Sequence, residues 1–184
     1  MRYFKTPSLA RWIWPGYTWK RNETEKIIYL TFDDGPIPEV TEFVLETLES
    51  FGAKATFFCV GDNIQKHPAI FQRLVEEGHQ VGNHTFNHLN GVKHSDETYL
   101  QNVLKCQVSL EKALTRLAVN PSVKTLPLFR PPYGRLRSSQ AGQLKKSYEI
   151  ILWDVLTYDF DIKLDRETCN QKAIQHTEPG SIVV

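Results

Sequence analysis

The chain has 184 residues, of which 41% are hydrophobic and 11% aromatic, and its formal net charge is +1. This length fits one domain and can bury roughly 70% of the surface of the unfolded chain, so a core can form without disulfides. The 22 basic and 21 acidic residues nearly balance, which gives no electrostatic support for a nucleic-acid partner or an anionic membrane surface.

Residues 1–26 form an aromatic-rich extension. Its large aromatic side chains include Trp12, Trp14, Tyr17 and Trp19. We expect them to pack across the bottom of the fold, with an interfacial anchor as the alternative. Arg11 and Pro15 interrupt any apolar run of the about 7–15 residues that a signal peptide needs, and no segment approaches the ~20 apolar residues of a membrane span. Without a visible export signal, a cytoplasmic or membrane-peripheral location is slightly favoured.

Beyond the extension, short apolar runs alternate with amphipathic stretches in a domain predicted to span residues 27–184. The runs are rich in β-branched or aromatic residues, which is typical of buried parallel strands. They cover residues 27–32, 55–60, 80–82, 126–129, 149–153 and 181–184. Helices are predicted over residues 40–51, 68–78, 96–117, 136–144 and 165–176. This alternation predicts an α/β fold with a mainly parallel sheet.

The three cysteines, Cys59, Cys106 and Cys169, are far apart and form no C-x-x-C pair. Cys59 lies in the apolar run ATFFCV, which predicts a buried free thiol. The sequence therefore indicates no disulfide framework, and a reducing compartment is mildly favoured.

Polar residues follow four of the predicted strands, at the ends where α/β folds gather their chemistry. They are Asp33 and Asp34 after the first strand, His84 and His88 after the third, Arg130 and Tyr133 after the fourth, and Asp154 after the fifth. Polar surface residues without a function would not recur after successive strands in this way.

His84 and His88 are four residues apart, which on a helical turn would place both imidazoles on one face. Two histidines and one carboxylate, with positions left for water and substrate, are typical of a catalytic metal site. Each signal alone is weak, because paired histidines are common on surfaces and Asp-Gly-Pro is an ordinary turn sequence. Their shared position at strand ends makes the combination informative.

Adjacent carboxylates suit two different tasks. One can bind a metal, and the other can act as a general base toward a water molecule that the metal acidifies. Two carboxylates this close need a nearby cation, and Arg130 or the metal can supply it. The segment RPPYG at 130–134 is stiffened by two prolines and can aim a backbone N–H at a developing oxyanion. The alternative is a structural turn with Tyr133 in the core.

Three segments of the sequence resemble motifs of one known family. TFDDGP at 31–36, HTFNH at 84–88 and RPPYG at 130–134 closely resemble the first three motifs of the polysaccharide deacetylases, which are carbohydrate esterase family four with a NodB-type domain. The motifs occur in the family's order, and the resemblance extends from about Ile27 to the C-terminus.

The resemblance implies a deformed (β/α) barrel of about seven strands and a divalent metal, Zn²⁺ in the first place and Co²⁺ or Ni²⁺ as alternatives. It implies that Asp34, His84 and His88 bind the metal. It also implies that Asp33 is the catalytic base, that Arg130 orients Asp33, and that the backbone N–H of Tyr133 stabilises the oxyanion.

The segment WDVLTYDF at 153–160 resembles the fourth family motif, whose acidic residue, here Asp159, tunes a catalytic histidine. Phe160 stands where the family usually has Trp, and Leu156 where it often has Asp. The fifth motif, an apolar strand followed by a general-acid histidine, begins at residues 181–184, where the sequence ends. His176 precedes that strand and is not a candidate. We therefore expect a longer native protein that supplies the last strand and helix.

These observations predict a metal-dependent hydrolase that removes N-acetyl groups from an N-acetylglucosamine-containing saccharide, such as peptidoglycan or a chitin-like oligomer. Two alternatives remain: a catalytically impaired sugar-binding homologue, and a hydrolase of another non-peptide C–N bond. A phosphoesterase is disfavoured because the sequence has no Gly-rich phosphate loop. The predicted partner is an N-acetylated saccharide, and the sequence does not predict an oligomeric state.

Overall fold

The computed structural model of the protein describes residues 2–21, 24–118 and 127–184. The chain divides into two compact units. Residues 32–150 form one of them, called the central unit below, and residues 1–31 together with 151–184 form the other, called the terminal unit.

The central unit is built on a sheet whose neighbouring strands have the order β5-β4-β3-β2-β1. Its strands are β1 (Tyr29–Asp33, of which residues 32 and 33 belong to this unit), β2 (Thr56–Cys59), β3 (Gln80–Asn83), β4 (Leu128–Phe129) and β5 (Glu149–Ile150). The pairs β2–β3, β3–β4 and β4–β5 are parallel. The carboxyl ends of these paired strands therefore meet at one edge of the sheet.

In the described part of the central unit, five helices accompany the sheet. They are α2 (Val40–Ser50), α3 (Gly61–Lys66), α4 (Pro68–Glu76), α5 (Asp96–Arg116) and α6 (Ser138–Leu144). The N-cap of the longest helix, α5, is Ser95, whose side chain accepts a hydrogen bond from the N–H of Thr98 at 3.2 Å. Tyr99, Val103 and Cys106 recur on one face of α5 at three- and four-residue spacing and are fully buried or nearly so. This amphipathic face fixes the helix in the core.

The predicted α/β class with parallel strands is confirmed, and so is each predicted helix. Residue 126, the first of the predicted fourth strand, lies outside the described residues. The sequence did not predict α3, because six residues are too short to show an apolar period. Two single 3₁₀ turns, Gly91–Lys93 and Pro132–Gly134, were also not predicted.

The terminal unit pairs the start of β1 with β6 (Ile182–Val183). The pairing is parallel, with Tyr29 opposite Ile182 and Leu30 opposite Val183. This unit also contains α1 (Ser8–Ile13) and α7 (Arg166–His176), which begins at Asp165 as its N-cap. Among the described residues, no helix combines the length and the apolar character needed to cross a bilayer.

The aromatic extension differs in part from the prediction. Trp12 is 79% exposed and Trp14 45% exposed, so the expectation that these side chains pack into the fold is wrong for both. Both lie in or just after α1, a six-residue helix with no buried residue. Tyr17 and Trp19 are half-buried, and their rings lie 6.2 Å apart.

All three cysteines are free thiols. The prediction of a buried thiol at Cys59 is confirmed, and burial raises the pKa of this group well above its ordinary value. Burial also raises the pKa of Cys106 to about 12. Both thiols are therefore protonated at neutral pH and are poor nucleophiles.

Asp154 is an ion-paired residue inside the terminal unit. Its side chain is completely buried and accepts hydrogen bonds from Lys5 Nζ at 3.0 Å, from Ser181 Oγ at 2.6 Å, and from the guanidinium of Arg11. Two cations from the first 11 residues thus converge on one carboxylate that follows β5. Asp154 links the N-terminal segment to Ser181, the residue that precedes β6.

Replacing Asp154 by Ala is expected to destabilise the protein, because it removes a buried carboxylate that pairs with Lys5 and Arg11, whose side chains are each 30% exposed. Since both cations reach solvent and Lys5 keeps Glu178 at 2.9 Å, the loss of unfolding free energy should lie below the about 3–5 kcal/mol of a fully buried pair. Asp161→Ala is the matched control, since Asp161 pairs with Arg2 at 2.6 Å but is 25% exposed, and exposed pairs contribute about 0–1 kcal/mol. Urea denaturation followed by tryptophan fluorescence measures both variants. Equal losses of unfolding free energy in the two variants would show that the buried carboxylate contributes no more than the exposed one.

Candidate active site

Asp33 and Asp34 lie where β1 ends in the central unit. Asp33 is the last residue of the strand, and Asp34 has a left-handed backbone with φ of 68°. The carbonyl of Asp34 accepts a hydrogen bond from Nδ2 of Asn63 at 2.7 Å. The backbone therefore turns sharply after β1, and both carboxylates approach Nε2 of His84, Asp33 at 4.0 Å and Asp34 at 3.4 Å.

His84 and His88 are brought together by a loop that follows β3, and the expectation of a helical turn is wrong. Thr85 and His88 both have left-handed backbones, with φ of 63° and 54°. The side chain of Asn83 accepts from the N–H of Thr85 at 2.9 Å, and Thr85 Oγ1 accepts from the N–H of Leu89 at 3.1 Å. These local bonds replace the i to i+4 bonds of a helix. The two rings still lie 5.1 Å apart.

The structure places Asp34, His84 and His88 in one cluster. One ligand atom from each lies within 4.8 Å of the other two. Asp34 Oδ1 is 3.4 Å from Nε2 of His84 and 3.1 Å from Nε2 of His88. Two imidazole nitrogens and a carboxylate oxygen are a donor set that suits Zn²⁺ and similar divalent ions.

The hydrogen bonding of His84 tests whether this cluster suits a cation. Nδ1 of His84 lies 2.8 Å from the carbonyl oxygen of Arg130. A carbonyl can only accept, so Nδ1 carries the proton. In a neutral ring, Nε2 then directs a lone pair at the carboxylate of Asp34. Either a proton or a metal ion must separate these two acceptors, and the carbonyl that orients the ring is the usual partner of a metal-binding histidine.

The ionisation state of Asp34 suits a metal ligand. Partial burial tends to raise its pKa, but when the rings of His84 and His88 are protonated, their hydrogen bonds and positive charge outweigh burial and lower the pKa below its ordinary value. The carboxylate is therefore ionised at neutral pH, as metal binding requires.

Arg130 is a completely buried arginine at the end of β4, and it holds Asp33. Its Nη1 donates to Asp33 Oδ1 at 2.7 Å. The guanidinium also lies over the ring of Phe58, with 4.2 Å from Cζ to the ring centroid. Burial lowers the pKa of Arg130, and the charge of Asp33 and their hydrogen bond oppose that change. Oδ2 of Asp33, which is 4.0 Å from Nε2 of His84, remains directed at the cluster.

Tyr133 lies beside the cluster rather than in the core. It is 60% exposed, its φ is 61°, and its ring centroid is 4.7 Å from that of His88. The alternative in which Tyr133 packs as a core residue is therefore wrong.

Asp159 belongs to the terminal unit and is not among the residues gathered in the central unit. It is exposed and accepts a hydrogen bond from Oγ1 of Thr157 at 3.1 Å. Its tuning role stays a prediction.

A cleft adjoins the cluster and contains residues that the sequence motifs did not mark. Besides Asp34 and His88, its walls are formed by Ile37, Val60, Asp62, Asn63 and Asn87. Three of these residues directly follow β2. The rule that strand ends gather functional residues could have found them, but the segment VGDN contains no histidine or adjacent acidic pair to distinguish it.

The similarity of the sequence to known proteins agrees with this geometry. The sequence model of a family described as polysaccharide deacetylase matches residues 20–150. A peptidoglycan-N-acetylglucosamine deacetylase of Bacillus cereus is 39% identical over 140 residues, which are 75% of this chain and 62% of that protein. The chain thus spans less than two thirds of the length of this relative.

Solved structures share the fold. A crystal structure of a peptidoglycan N-acetylglucosamine deacetylase has a TM-score of 0.80 and 31% identity, covering 97% of this chain and 79% of its own. A carbohydrate esterase family four pseudoenzyme from Bacillus anthracis has a TM-score of 0.74 and 25% identity, covering 90% of this chain and 56% of its own. The chain belongs to the polysaccharide deacetylase family.

The cluster is expected to bind one Zn²⁺ ion, and His88→Ala is expected to weaken this binding strongly. Loss of a residue that only supports a ligand weakens metal affinity about 10–100-fold, so loss of a ligand must cost more. His94→Ala is the control, because His94 is bonded to the carbonyl of Asn90 and lies outside the cluster. Competition with a chromophoric chelator gives the dissociation constants, and equal values for the two variants would argue against the cluster.

Arg130→Met is expected to lower the unfolding free energy by about 3–5 kcal/mol, because it leaves the carboxylate of Asp33 without its buried cation. The double variant Arg130→Met/Asp33→Asn should recover part of this loss, since the remaining group is then neutral. Arg137→Met is the control, as Arg137 is 45% exposed and 3.9 Å from Asp96. Additive effects of the two site substitutions in urea denaturation would refute the coupling.

Proposed function

We propose that the protein is a metal-dependent N-deacetylase acting on saccharides that contain N-acetylglucosamine. The observation that carries the proposal is the side-by-side arrangement of two carboxylates with different surroundings. Asp34 faces two imidazole nitrogens, and Asp33 is held by a buried arginine. One is placed to bind a cation and the other to move a proton, which is the division of roles that hydrolysis of an amide requires.

Asp34, His84 and His88 would hold the metal, with Zn²⁺ favoured and Co²⁺ or Ni²⁺ as alternatives. A divalent ion bound there supplies Lewis acidity toward the acetyl carbonyl and a water molecule. The protein keeps His84 in the correct tautomer through the carbonyl of Arg130.

Asp33 is the proposed general base. Arg130 occupies its Oδ1, so the proton of the attacking water goes to Oδ2, the oxygen directed at His84. The water oxygen forms a bond to the acetyl carbon, and the C–N bond then breaks to give an amine and acetic acid, which ionises to acetate. The proton that Asp33 accepts balances the proton that the departing nitrogen needs.

Tyr133 and the cleft complete the proposed site. The backbone N–H of Tyr133, in the turn beside His88, would donate to the oxyanion that develops on the acetyl oxygen. The cleft offers the carboxylate of Asp62 and the amides of Asn63 and Asn87, which can hydrogen-bond to sugar hydroxyl groups. The names of the relatives support N-acetylglucosamine in peptidoglycan as the first substrate to test.

Acetate release is expected from N-acetylglucosamine oligomers or from peptidoglycan, and it should require the metal. Asp33→Asn should lower kcat at least about 100-fold, the lower bound for a general base, while Zn²⁺ affinity stays close to that of the unchanged protein. Glu49→Gln, the same chemical change at an exposed helix position, is the control. Enzymatic acetate detection after chelation and after Zn²⁺ addition gives the rates.

The two alternative functions predict different results in the same assay. A sugar-binding homologue would bind the oligomers and the metal and release no acetate. A hydrolase of another C–N bond would release none from either saccharide but would act on other amides, with the same loss in Asp33→Asn. Either result would overturn the proposal of an N-acetylglucosamine deacetylase.

A further inference from the structure

The loop that carries the two histidines, residues 84–88, is held on one side by α3. The N–H of Gly61 donates to the carbonyl of Thr85, and the N–H of Asp62 donates to the carbonyl of Phe86, each at 3.0 Å. These bonds satisfy two loop carbonyls and join the loop to the segment after β2. They do not satisfy the loop's own N–H groups.

The opposite side of the loop is held by one side chain of α5. Asn102 Oδ1 accepts from the N–H of Phe86 at 2.7 Å and from the N–H of Asn87 at 3.1 Å. Its Nδ2 donates to Oδ1 of Asn87 at 3.1 Å. A single amide thus pairs two consecutive backbone donors and the side chain of a residue that lines the cleft.

The position of His88 depends on this loop more than that of His84 does. His84 is anchored by its ring, through Nδ1 to Arg130, and by its backbone, through its N–H to the carbonyl of Cys59 at 3.0 Å. Within the described part of the chain, Nδ1 of His88 has no hydrogen-bond partner, and the side chain is 29% exposed. The His88 ring contacts Tyr133 and Asp34, but no hydrogen bond at Nδ1 orients it, so its direction also depends on the backbone of the loop.

That backbone has a conformation that the chain would not adopt without restraint. Thr85 and His88, which flank Phe86 and Asn87, are both left-handed, and such residues persist only where the surroundings fix them. Asn102 is well placed to do so, since its neighbours Tyr99 and Val103 on α5 are buried at 0% and 1% exposure. The helix offers a rigid support for the middle of the loop.

We propose that Asn102 is a positioning residue that fixes His88 for metal binding and holds the amide of Asn87 in the cleft. This inference rests on the metal site of the proposed function. Asn102 is neither one of the proposed metal ligands nor a residue that lines the cleft, so it acts through the backbone of residues 86 and 87 and through the side chain of Asn87. Its effect should therefore appear in metal affinity and in the protection of those two amides.

The test compares Asn102→Ala and Asn102→Asp with the unchanged protein and with Gln101→Ala, an exposed neighbour on the same helix. Zn²⁺ dissociation constants come from chelator competition, and hydrogen exchange of the metal-free protein reports the amides of Phe86 and Asn87. Asn102→Ala should weaken Zn²⁺ binding about 10–100-fold, as for other residues that support a ligand. It should also speed exchange at both amides and leave the amides of β2 unchanged.

Asn102→Asp keeps an oxygen acceptor for the two amides, loses the donor to Asn87 and adds a negative charge, which does not disfavour a cation at the cluster. It should therefore retain amide protection and most of the Zn²⁺ affinity, which makes it the decisive variant if Asn102→Ala does not fold. A folded Asn102→Asp with unprotected amides, or an Asn102→Ala that binds Zn²⁺ like the unchanged protein, would overturn the inference. Failure of the unchanged protein to bind Zn²⁺ would instead overturn the metal site of the proposed function.

Discussion

The burial of the Arg130 guanidinium is the constraint on which the rest of the site depends. A charge that is fully removed from water must be paired, and the pairing partner is Asp33 at 2.7 Å. The same residue uses its backbone twice: its carbonyl orients His84, and its N–H donates to the carbonyl of Asn83 at 3.0 Å. One residue therefore fixes the carboxylate of Asp33, the ring of His84 and the registry of β4 beside β3.

The sheet makes these contacts available. In the central unit, Asn83 of β3 lies opposite Cys59 of β2 and Phe129 of β4, so the three strands end side by side. The loops that follow them emerge together and carry the cleft residues, the histidines and the arginine. This arrangement of the strands brings residues that are far apart in the sequence within hydrogen-bonding distance of one another.

Backbone strain is concentrated in the same loops. Seven described residues other than glycine have positive φ, and four of them are Asp34, Thr85, His88 and Tyr133. Each such residue costs on the order of 1–3 kcal/mol and persists because surrounding bonds fix it. For the loop of Asp34 and the loop of Thr85 and His88, those bonds come from Asn63, Asn83 and Asn102, whose amides bind the loop backbone. Three asparagines thus fix loops whose own residues would favour other conformations.

Local sequence determined the alternation of strands and helices, the buried Cys59, and which residue types stand at strand ends. These features follow from apolar periodicity and from the chemistry of single side chains, which act over a few residues. The tertiary structure alone decided that His84 and His88 meet through a strained loop, that Tyr133 is exposed, and that Asp154 is an internal ion-pair partner. The positions of the histidines and of Asp154 depend on contacts between residues far apart in the sequence. The exposure of Tyr133 depends on which elements pack next to it. Such contacts leave no period in the sequence, because they form only when the strands have been placed side by side.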